Sequence, residues 1–497
     1  MKTKIAWKTS VLLLGFAVFL NGCGGGGGSD DDSEAPLQPG GQVQDGTRLQ
    51  DSKTFVLPDP TAAEDYEAGP GGSASFAALS GLDSDRWTGV LNGAAYRIEV
   101  PRNWNGRLVM YAHGYEDSDQ LTITMPPIRR YLIENGYAWA ASSFSKNGYD
   151  VRAGVEDSNA LASSFMTIAA RNGRTLSAPT RTYIVGHSLG GHVAGAAIEQ
   201  ETLQTAINKY TYNGAVPMCG VMGDTELFNY FAAYQAAAQY LAGQGNFPIA
   251  RFSEIRDDVE DELFDVYNIL PNSKGRQLQD IVRNLTGGER PVFNQGFLLP
   301  EGTTPYLWDN FGTDGTIYGI LNKSSFDTNR IVYQLDNDPA LSAEEQALNA
   351  SVQRLTAAPD ANPPRSDGLR WIPKINGQFN VPVVTLHSLG DNYVPFSMQQ
   401  IYRARAEANG NGNLLVQRAI RAPGHCDFTV QEQEEAFQGM VAWAEGGAKP
   451  AGDDVLTPAT VADPDYGCTF TRSPDVTRDV AWPRAFVREA VAIPSCS

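Results

Sequence analysis

The stretch that most constrains the fold is 181–193, which reads Arg-Thr-Tyr-Ile-Val-Gly-His-Ser-Leu-Gly-Gly-His-Val. Its first half is β-branched and aromatic, as in a short buried strand, and the small residues of 191–200 predict a helix. Between them, glycines on both sides of Ser188 allow a tight turn in which strand and helix pass closely. This arrangement predicts that the Ser188 hydroxyl stands clear of a sheet, at a helix N-terminus that favours negative charge.

The rest of the chain alternates predicted strands with predicted helices on both sides of this turn. Such alternation favours a mostly parallel sheet with helices on both faces, because parallel strands need crossover connections. The predicted fold class is therefore α/β. The predicted strands are 95–100, 107–112, 137–143, 211–218, 381–387 and 414–420, and the predicted helices outside the long insertion are 128–135, 155–171, 191–200, 397–408 and 429–444.

A segment of about 150 residues, 220–373, interrupts this alternation between two predicted sheet strands. It is too long for an unstructured loop, and its periodicity predicts helices at 225–241, 252–270 and 343–355. We expect a mainly helical cap that excludes water and shapes a substrate pocket, although most of its aromatic residues would form the cap's own core. The α/β core then comprises 76–219 and 374–448, and 449–497, rich in Pro and Asp, is expected to wrap the surface.

Residues 1–22 carry the pattern of an export signal, in which three lysines precede an apolar run too short to span a bilayer as a mature helix. The run ends in Leu-Asn-Gly-Cys, which resembles the lipobox of bacterial lipoproteins. The resemblance implies cleavage before Cys23, lipidation of its thiol and, because Gly24 follows, sorting to the outer membrane. Ordinary secretion with cleavage nearby is the alternative. Residues 23–75, rich in Gly, Asp and Pro, are expected to form a flexible tether.

The charge of the chain excludes one class of partner. With a formal charge of −19 and a pI near 4.7, the chain is unsuited to nucleic acid, because neutralising phosphates requires a basic surface. An acidic surface keeps an exported protein soluble. We expect membrane contact only through the N-terminal lipid anchor, and the sequence leaves the oligomeric state open.

Of the five cysteines, four remain once Cys23 is set aside. An even number in an exported chain favours two disulfides, for which three connectivities exist. We favour Cys219–Cys426, which would join two loops at the face that carries Ser188, and Cys468–Cys496, which would staple the tail. No Cys-x-x-Cys spacing is present, so neither a zinc site nor a redox motif is predicted.

A serine hydroxyl needs a positioned base to act as a nucleophile, and the chain offers five histidines. His187 and His192 lie too close to Ser188 in sequence to reach over its hydroxyl. His387 lies within an apolar strand and is more typical of a core residue, and His113 ends an early strand, where it could shape an oxyanion site. His425 remains, in a Pro-Gly loop just after the last strand, and is the predicted base.

The third member of such a site orients the imidazole and stabilises its charged form. Asp391 lies in a Gly-Asp-Asn-Tyr-Val-Pro loop after the strand 381–387, upstream of His425. Asp427 is the rival acid, but only two residues from His425 it cannot easily reach the far ring nitrogen. The chain order serine, aspartate, histidine favours Asp391.

Together, the Gly-His-Ser-Leu-Gly turn, the strand ending in His-Gly, the Gly-Asp-x-x-Val-Pro loop and the Gly-His loop resemble the α/β-hydrolase family. The resemblance covers 87–447, with the cap as its variable part. It implies the α/β-hydrolase fold, with Ser188 as nucleophile, His425 as general base and then acid, and Asp391 as the orienting acid.

The resemblance also implies an oxyanion hole made of two backbone N–H groups. One belongs to Leu189, and the other to Gly114 or Tyr115 in the loop after His113. Many esterases of this family have His-Gly-Gly at that loop, whereas this chain has His-Gly-Tyr, which leaves the second donor open. A cysteine beside the histidine, as at Cys426, occurs in some secreted esterases of this type, where a disulfide ties it near the site.

We therefore expect an exported serine hydrolase that cleaves small or polymeric carboxylic esters through an acyl-enzyme, without a metal or an organic cofactor. A serine peptidase of the same fold is an alternative, since acidic cap residues could hold a substrate's amino terminus, although their spacing more simply gives a solvated helix face. A surface-binding protein that has lost catalysis is a second alternative, against which the intact serine, aspartate and histidine argue. The acidic cap residues are Glu254, Asp257, Asp258, Glu260, Asp261 and Glu262.

Overall fold

The structure is a computed structural model that describes residues 47–61, 76–266, 269–298, 314–475, 477–479, 488 and 491–497. The predicted signal, Cys23 and most of the predicted tether lie outside the described residues. Within the described ranges, no helix is both long and apolar enough to cross a membrane.

An eight-stranded sheet organises the fold, with the strands in the lateral order β1-β2-β4-β3-β5-β6-β7-β8. Strand β2 pairs antiparallel with β1 and β4, and every other neighbouring pair is parallel. The strands are β1 (Ser84–Leu91), β2 (Ala94–Pro101), β3 (Arg107–Ala112), β4 (Ala138–Ser142), β5 (Arg181–His187), β6 (Gly214–Met218), β7 (Val383–Ser388) and β8 (Leu415–Ile420).

Helices cover both faces of this sheet, because the side chains of each central strand alternate between two apolar cores. In β3, Leu108 and Met110 pack on the face covered by α2 and α3, and Val109 and Tyr111 pack on the face covered by α1 and α11. The helices described are α1 (Arg129–Glu134), α2 (Val151–Arg171), α3 (Leu189–Ala197), α4 (Gln200–Thr205), α5 (Glu226–Leu241), α6 (Arg256–Leu263), α7 (Ser273–Leu285), α8 (Phe293–Phe297), α9 (Ala343–Ser351), α10 (Ser397–Ala408), α11 (Val430–Ala444) and α12 (Pro458–Val461).

This mostly parallel sheet with helices on both faces confirms the predicted α/β class. It also has the fold that the resemblance to α/β-hydrolases implies. Asp391 and His425 follow β7 and β8, so both lie at the edge of the sheet where β5 ends at Ser188. All seven predicted strands are present, including the one that leads into Ser188, and β1, the antiparallel edge strand, is an addition.

The insert, defined here as residues 220–373, contains α5 to α9 in its described parts. The helix predicted over 252–270 is wrong in its second half. A 3₁₀ turn at Ile249–Glu254 precedes α6, and the chain then forms a small hairpin of Phe264–Val266 with Leu270–Pro271. Aromatic and β-branched residues after α6 favour this strand pairing. The sequence analysis also missed α7, which begins where the Asn272 side chain accepts two backbone N–H bonds.

Residues 47–61, which the sequence assigned to the tether, instead form an arm that packs on the core. Arg48 is buried, makes an ion pair of 2.8 Å with Asp150 and stacks 3.6 Å from the ring centre of Trp371. Gln50 is fully buried. This end of the predicted tether is therefore part of the folded domain, because its polar side chains find partners on α2 and on the end of the insert.

Within the tail, residues 449–475 include contacts to β8 and to the residue that follows it. Asp453 accepts a 2.7 Å hydrogen bond from the backbone N–H of Ala419. The buried Arg421 donates to the carbonyl oxygens of Pro464 and Tyr466. The Ala419 bond satisfies a backbone N–H of the last strand, which would otherwise be unpaired at the sheet edge, and the Arg421 bonds anchor the tail.

Candidate active site

Ser188 lies on a strained turn between β5 and α3, with φ 57° and ψ −119°. The turn is possible only because neighbouring positions lack side chains. A Cβ atom on Gly186 would lie 2.1 Å from the carbonyl oxygen of Gly190, and one on Gly190 would lie 2.0 Å from that of Ala112. The strand and helix therefore cross in near contact, and the serine is held at the carboxyl end of β5.

The structure brings the three predicted side chains together in one hydrogen-bonded chain. His425 Nε2 lies 2.8 Å from Ser188 Oγ, and His425 Nδ1 lies 2.6 Å from Asp391 Oδ2. A tautomer that donates Nδ1–H to the carboxylate leaves Nε2 to accept the serine proton. Asp391 is fully buried, while 23% of the His425 side chain is exposed. The imidazole is thus fixed by Asp391 at Nδ1, and its exposed part is accessible to a substrate.

Backbone amides set the orientation of the Asp391 carboxylate. Its Oδ1 accepts hydrogen bonds from the N–H groups of Tyr393 at 2.9 Å and Val394 at 3.0 Å. The other oxygen is left for His425. Because these donors belong to the same short loop, the carboxylate moves with the loop as a unit.

The remaining histidines occupy buried structural positions. Burial lowers the pKa of His192 and of His387 to about 4, and it also lowers the pKa of His113. His192 bonds to Tyr149 and to a backbone carbonyl, and His387 bonds to Val394 and a glutamine. These rings stay neutral in the core. Their burial agrees with the sequence argument that His425, and none of them, is the base for Ser188.

The rival acid and the remaining histidine also face away from the serine. Asp427 lies 3.5 Å from Arg488 through its carboxylate, in a buried cluster beneath α11. The Nε2 of His187 lies 3.0 Å from the side-chain oxygen of Gln433, on α11. Neither side chain is placed to serve Ser188.

Backbone donors flank the serine on two sides. Leu189 is the first residue of α3, and the first N–H groups of a helix have no acceptor within it. In the loop after β3, a Cβ atom on Gly114 would lie 3.7 Å from the Ser188 Cβ, so this backbone borders the nucleophile. His113 holds the loop, since its ring stacks on Phe144 at 4.2 Å and its Nδ1 lies 2.8 Å from the Gly114 carbonyl oxygen. The choice between the Gly114 and Tyr115 N–H groups stays a prediction.

Both disulfides that the sequence favoured are formed, Cys219–Cys426 and Cys468–Cys496. The first lies directly against the site, with Cys219 Sγ 3.3 Å from the Ser188 backbone nitrogen and Cys426 Sγ 3.4 Å from His425 Nε2. Among the described residues, the only group that could hold a metal consists of these two cysteines and His425. Its sulfur atoms are joined to each other and so are not available as thiolate ligands.

A cavity of about 660 Å³ lies beside the loop that carries Tyr115. One wall comes from the arm, through Leu49, Lys53 and Phe55, and another comes from 314–320 of the insert. Tyr115 itself forms part of the lining. It has the size of a small-molecule site.

No protein-family model matches the chain. The chain is 22% identical over 423 residues to o-phthalyl amidase from Xanthobacter agilis, covering 72% of this chain and 87% of that protein. Solved structures similar to this chain include feruloyl esterase B from Aspergillus oryzae. The identity is 14% and the TM-score is 0.41, with coverage of 82% of this chain and 89% of the esterase. An acylaminoacyl peptidase in complex with Z-Gly-Gly-Phe-chloromethyl ketone has 9% identity and a TM-score of 0.38 over 75% of this chain, which spans only 43% of that peptidase.

The sheet order and the positions of the reactive side chains carry the assignment. A serine stands on a strained turn after β5, an aspartate follows β7, and a histidine after β8 bonds to both. These features give the chain the α/β-hydrolase fold, with the serine, histidine and aspartate side chains in contact at the carboxyl edge of its sheet.

Proposed function

We propose that this protein is a hydrolase that cleaves carboxylic esters through an acyl-enzyme on Ser188, with His425 as base and Asp391 as the orienting acid. The observation that carries the proposal is the unbroken chain of hydrogen bonds from the serine hydroxyl through the imidazole to the buried carboxylate. Each of these side chains has its own support, in the glycine turn, the disulfide and the loop amides, which favours a preorganised site over a chance grouping.

In the proposed reaction, Ser188 Oγ attacks the ester carbonyl carbon while His425 Nε2 takes the hydroxyl proton. The developing oxyanion is held by the N–H of Leu189 and by one from Gly114 or Tyr115. Collapse of the tetrahedral intermediate breaks the bond to the alcohol oxygen, which receives the proton from His425. Water then attacks the acyl-enzyme with His425 again as base, and the carboxylic acid leaves. We place part of the substrate in the cavity beside Tyr115.

A serine peptidase stays the first alternative, and the structure pairs two of the six acidic residues that the sequence suggested for it. Of the acidic residues considered for holding an amino terminus, Glu254 pairs with Arg251 at 2.5 Å, and Glu262 pairs with Lys274 at 2.7 Å. Both are exposed surface pairs. An amidase acting on aryl amides is the second candidate, since the relative with 22% identity is described as an o-phthalyl amidase.

Matched substrates separate these functions. We expect the purified protein to hydrolyse nitrophenyl esters of a short-to-long acyl series, with kcat/KM at least about 10²-fold above that for aminoacyl-nitroanilides and for an o-phthalyl amide. The preferred acyl length would report the size of the acyl site. Faster cleavage of the o-phthalyl amide than of the ester with the same acyl group would replace the esterase proposal with the amidase, and anilide preference would replace it with the peptidase.

We also propose that the protein is exported and held at a membrane by lipid on Cys23. Two disulfides are consistent with export, because such bonds persist in oxidising compartments. We expect labelled palmitate to be incorporated into the wild-type protein in a bacterial host and to be absent from Cys23→Ala. Equal labelling of both, or of neither, would contradict the anchor.

A further inference from the structure

The insert makes direct contact with the loop that carries Asp391. This acid loop, defined as residues 389–392, receives two hydrogen bonds from insert side chains. Arg290 Nε donates to the Leu389 carbonyl oxygen at 2.7 Å, and the Tyr230 hydroxyl donates to the Asn392 carbonyl oxygen at 3.0 Å. The two bonds hold the acid loop on both sides of Asp391, at Leu389 before it and at Asn392 after it.

Helix α8 closes on the same loop through backbone atoms. A Cβ atom on Gly296 would lie 1.8 Å from the carbonyl oxygen of Gly390, so no side chain fits between them. On its other side, a Cβ atom on Gly390 would lie 2.6 Å from Pro423 Cα, in the loop that carries His425. The acid loop is therefore held between the insert and the histidine loop with no space to relax in either direction.

Arg290 is an unusual residue for such a position. It is only 3% exposed, and its remaining hydrogen bonds go to the Gly288 carbonyl at 2.9 Å and the Thr286 hydroxyl at 3.0 Å. Within the described part of the chain, no carboxylate lies within ion-pair distance of it, and burial lowers its pKa to about 9. A buried cation without a contacting anion destabilises a fold, and an apolar side chain would pack there at lower cost.

The segment that carries Arg290 is itself anchored to the core beyond the acid loop. The Thr286 carbonyl oxygen accepts the backbone N–H of Ser397 at 2.9 Å, and the Gly287 carbonyl accepts the side-chain amide of Gln400 at 3.1 Å. Both partners belong to α10, which follows the acid loop in the chain. Arg290 thus joins this anchored segment to the acid loop, and its guanidinium contacts the Leu389–Gly390 peptide, one peptide before that of Asp391.

We propose that Arg290, supported by Tyr230, is a positioning residue that holds Asp391 against His425, so that the insert is part of the catalytic apparatus as well as a cover. The inference rests on the proposed triad. The Asp391 carboxylate is fixed to the amides of Tyr393 and Val394, which directly follow the acid loop. Releasing the acid loop would therefore displace the carboxylate from the imidazole. A displacement of about 1 Å in a catalytic group can lower a rate by about 10²-fold.

We expect Arg290→Met to lower kcat for a small nitrophenyl ester by about 10- to 100-fold, with KM changed less than about 2-fold. Arg290→Lys, which keeps a cation and one donor, should retain more activity than Arg290→Met, and Tyr230→Phe should lose about 3- to 10-fold. Arg283→Met is the matched control. Arg283 lies in the same insert and also faces the Phe293 ring, at 5.6 Å against 4.9 Å for Arg290, but it pairs with Asp280 and Glu289.

A double-mutant cycle with Asp391→Asn distinguishes positioning from general destabilisation. If Arg290 acts through Asp391, then Arg290→Met should lower kcat by less than about 3-fold in the Asp391→Asn background. A full loss in that background, or an effect no larger than that of Arg283→Met, would overturn the inference. If Arg290→Met fails to fold by circular dichroism, the same cycle with Tyr230→Phe decides. A small effect of Asp391→Asn alone would instead contradict the triad itself.

Discussion

Replacing Ser188 with alanine is expected to lower kcat for ester hydrolysis by about 10⁴-fold or more, because no other group can form the acyl-enzyme. The substitution removes the hydroxyl and should leave the backbone of the turn unchanged. Alanine keeps the Cβ, so the positive φ at this position is strained to the same degree, and the glycines that let strand and helix cross are untouched. The measurement is kcat and KM for wild type and variant, with thermal unfolding to show that the fold persists.

A second readout identifies the nucleophile directly. A fluorophosphonate should add to the wild-type protein with one equivalent of label on the peptide that contains Ser188, and should leave Ser188→Ala unlabelled. Ser163→Ala, an exposed serine on α2, serves as the control and should behave as wild type. Activity that survives in Ser188→Ala, or label on another residue, would refute the proposed mechanism.

Removal of the Cys219–Cys426 disulfide, by replacing both cysteines with alanine, is expected to lower both stability and activity. The bond closes a chain separation of 207 residues, for which the chain-entropy model gives about 5 kcal/mol of stabilisation. Its sulfur atoms also contact the Ser188 backbone and the His425 ring, so we expect kcat to fall by about 10-fold or more in the protein that remains folded. Chemical denaturation and ester kinetics measure the two effects.

The second disulfide provides the control for this experiment. Cys468–Cys496 closes a separation of only 28 residues in the tail, for which the same model gives about 3.5 kcal/mol. Replacing that pair should lower stability but leave kcat within about 2-fold of wild type. Equal loss of kcat in both double variants would show that the first disulfide acts only through global stability, whereas unchanged kcat without Cys219–Cys426 would show that the contacts at the site are dispensable.

Local patterns were sufficient to predict the parts of this molecule in which sequence neighbours determine the geometry. The turn around Ser188 follows from its glycines, which leave room for the backbone oxygens of Gly190 in α3 and Ala112 at the end of β3. Asp391 and His425 were predicted from the loops after two strands, because parallel strands deliver such loops to one edge of a sheet. The structure places these three side chains within hydrogen-bond distance, as expected.

Features that depend on tertiary packing were beyond the sequence. Arg290 stands in Thr-Gly-Gly-Glu-Arg-Pro, a composition typical of an exposed turn, and only the docking of the insert buries it against Leu389. The arm was assigned to a tether because its polar composition matches a linker, yet Arg48 is stabilised by Asp150 and by the ring of Trp371. In both cases the residue that fixes the buried arginine lies about 100 positions away in the chain. The local periodicity of the sequence carries no information about such a contact.

The order in which the site residues occur has a consequence for synthesis of the protein. His425 is 237 positions beyond Ser188, with the whole insert between them, but only 34 positions beyond Asp391. A growing chain therefore exposes its serine long before its base exists, and the final closure joins segments of very large sequence separation, which is slow. Under the proposed mechanism, a nascent or prematurely terminated chain that ends before His425 lacks the base and should not hydrolyse the esters of the cell that makes it.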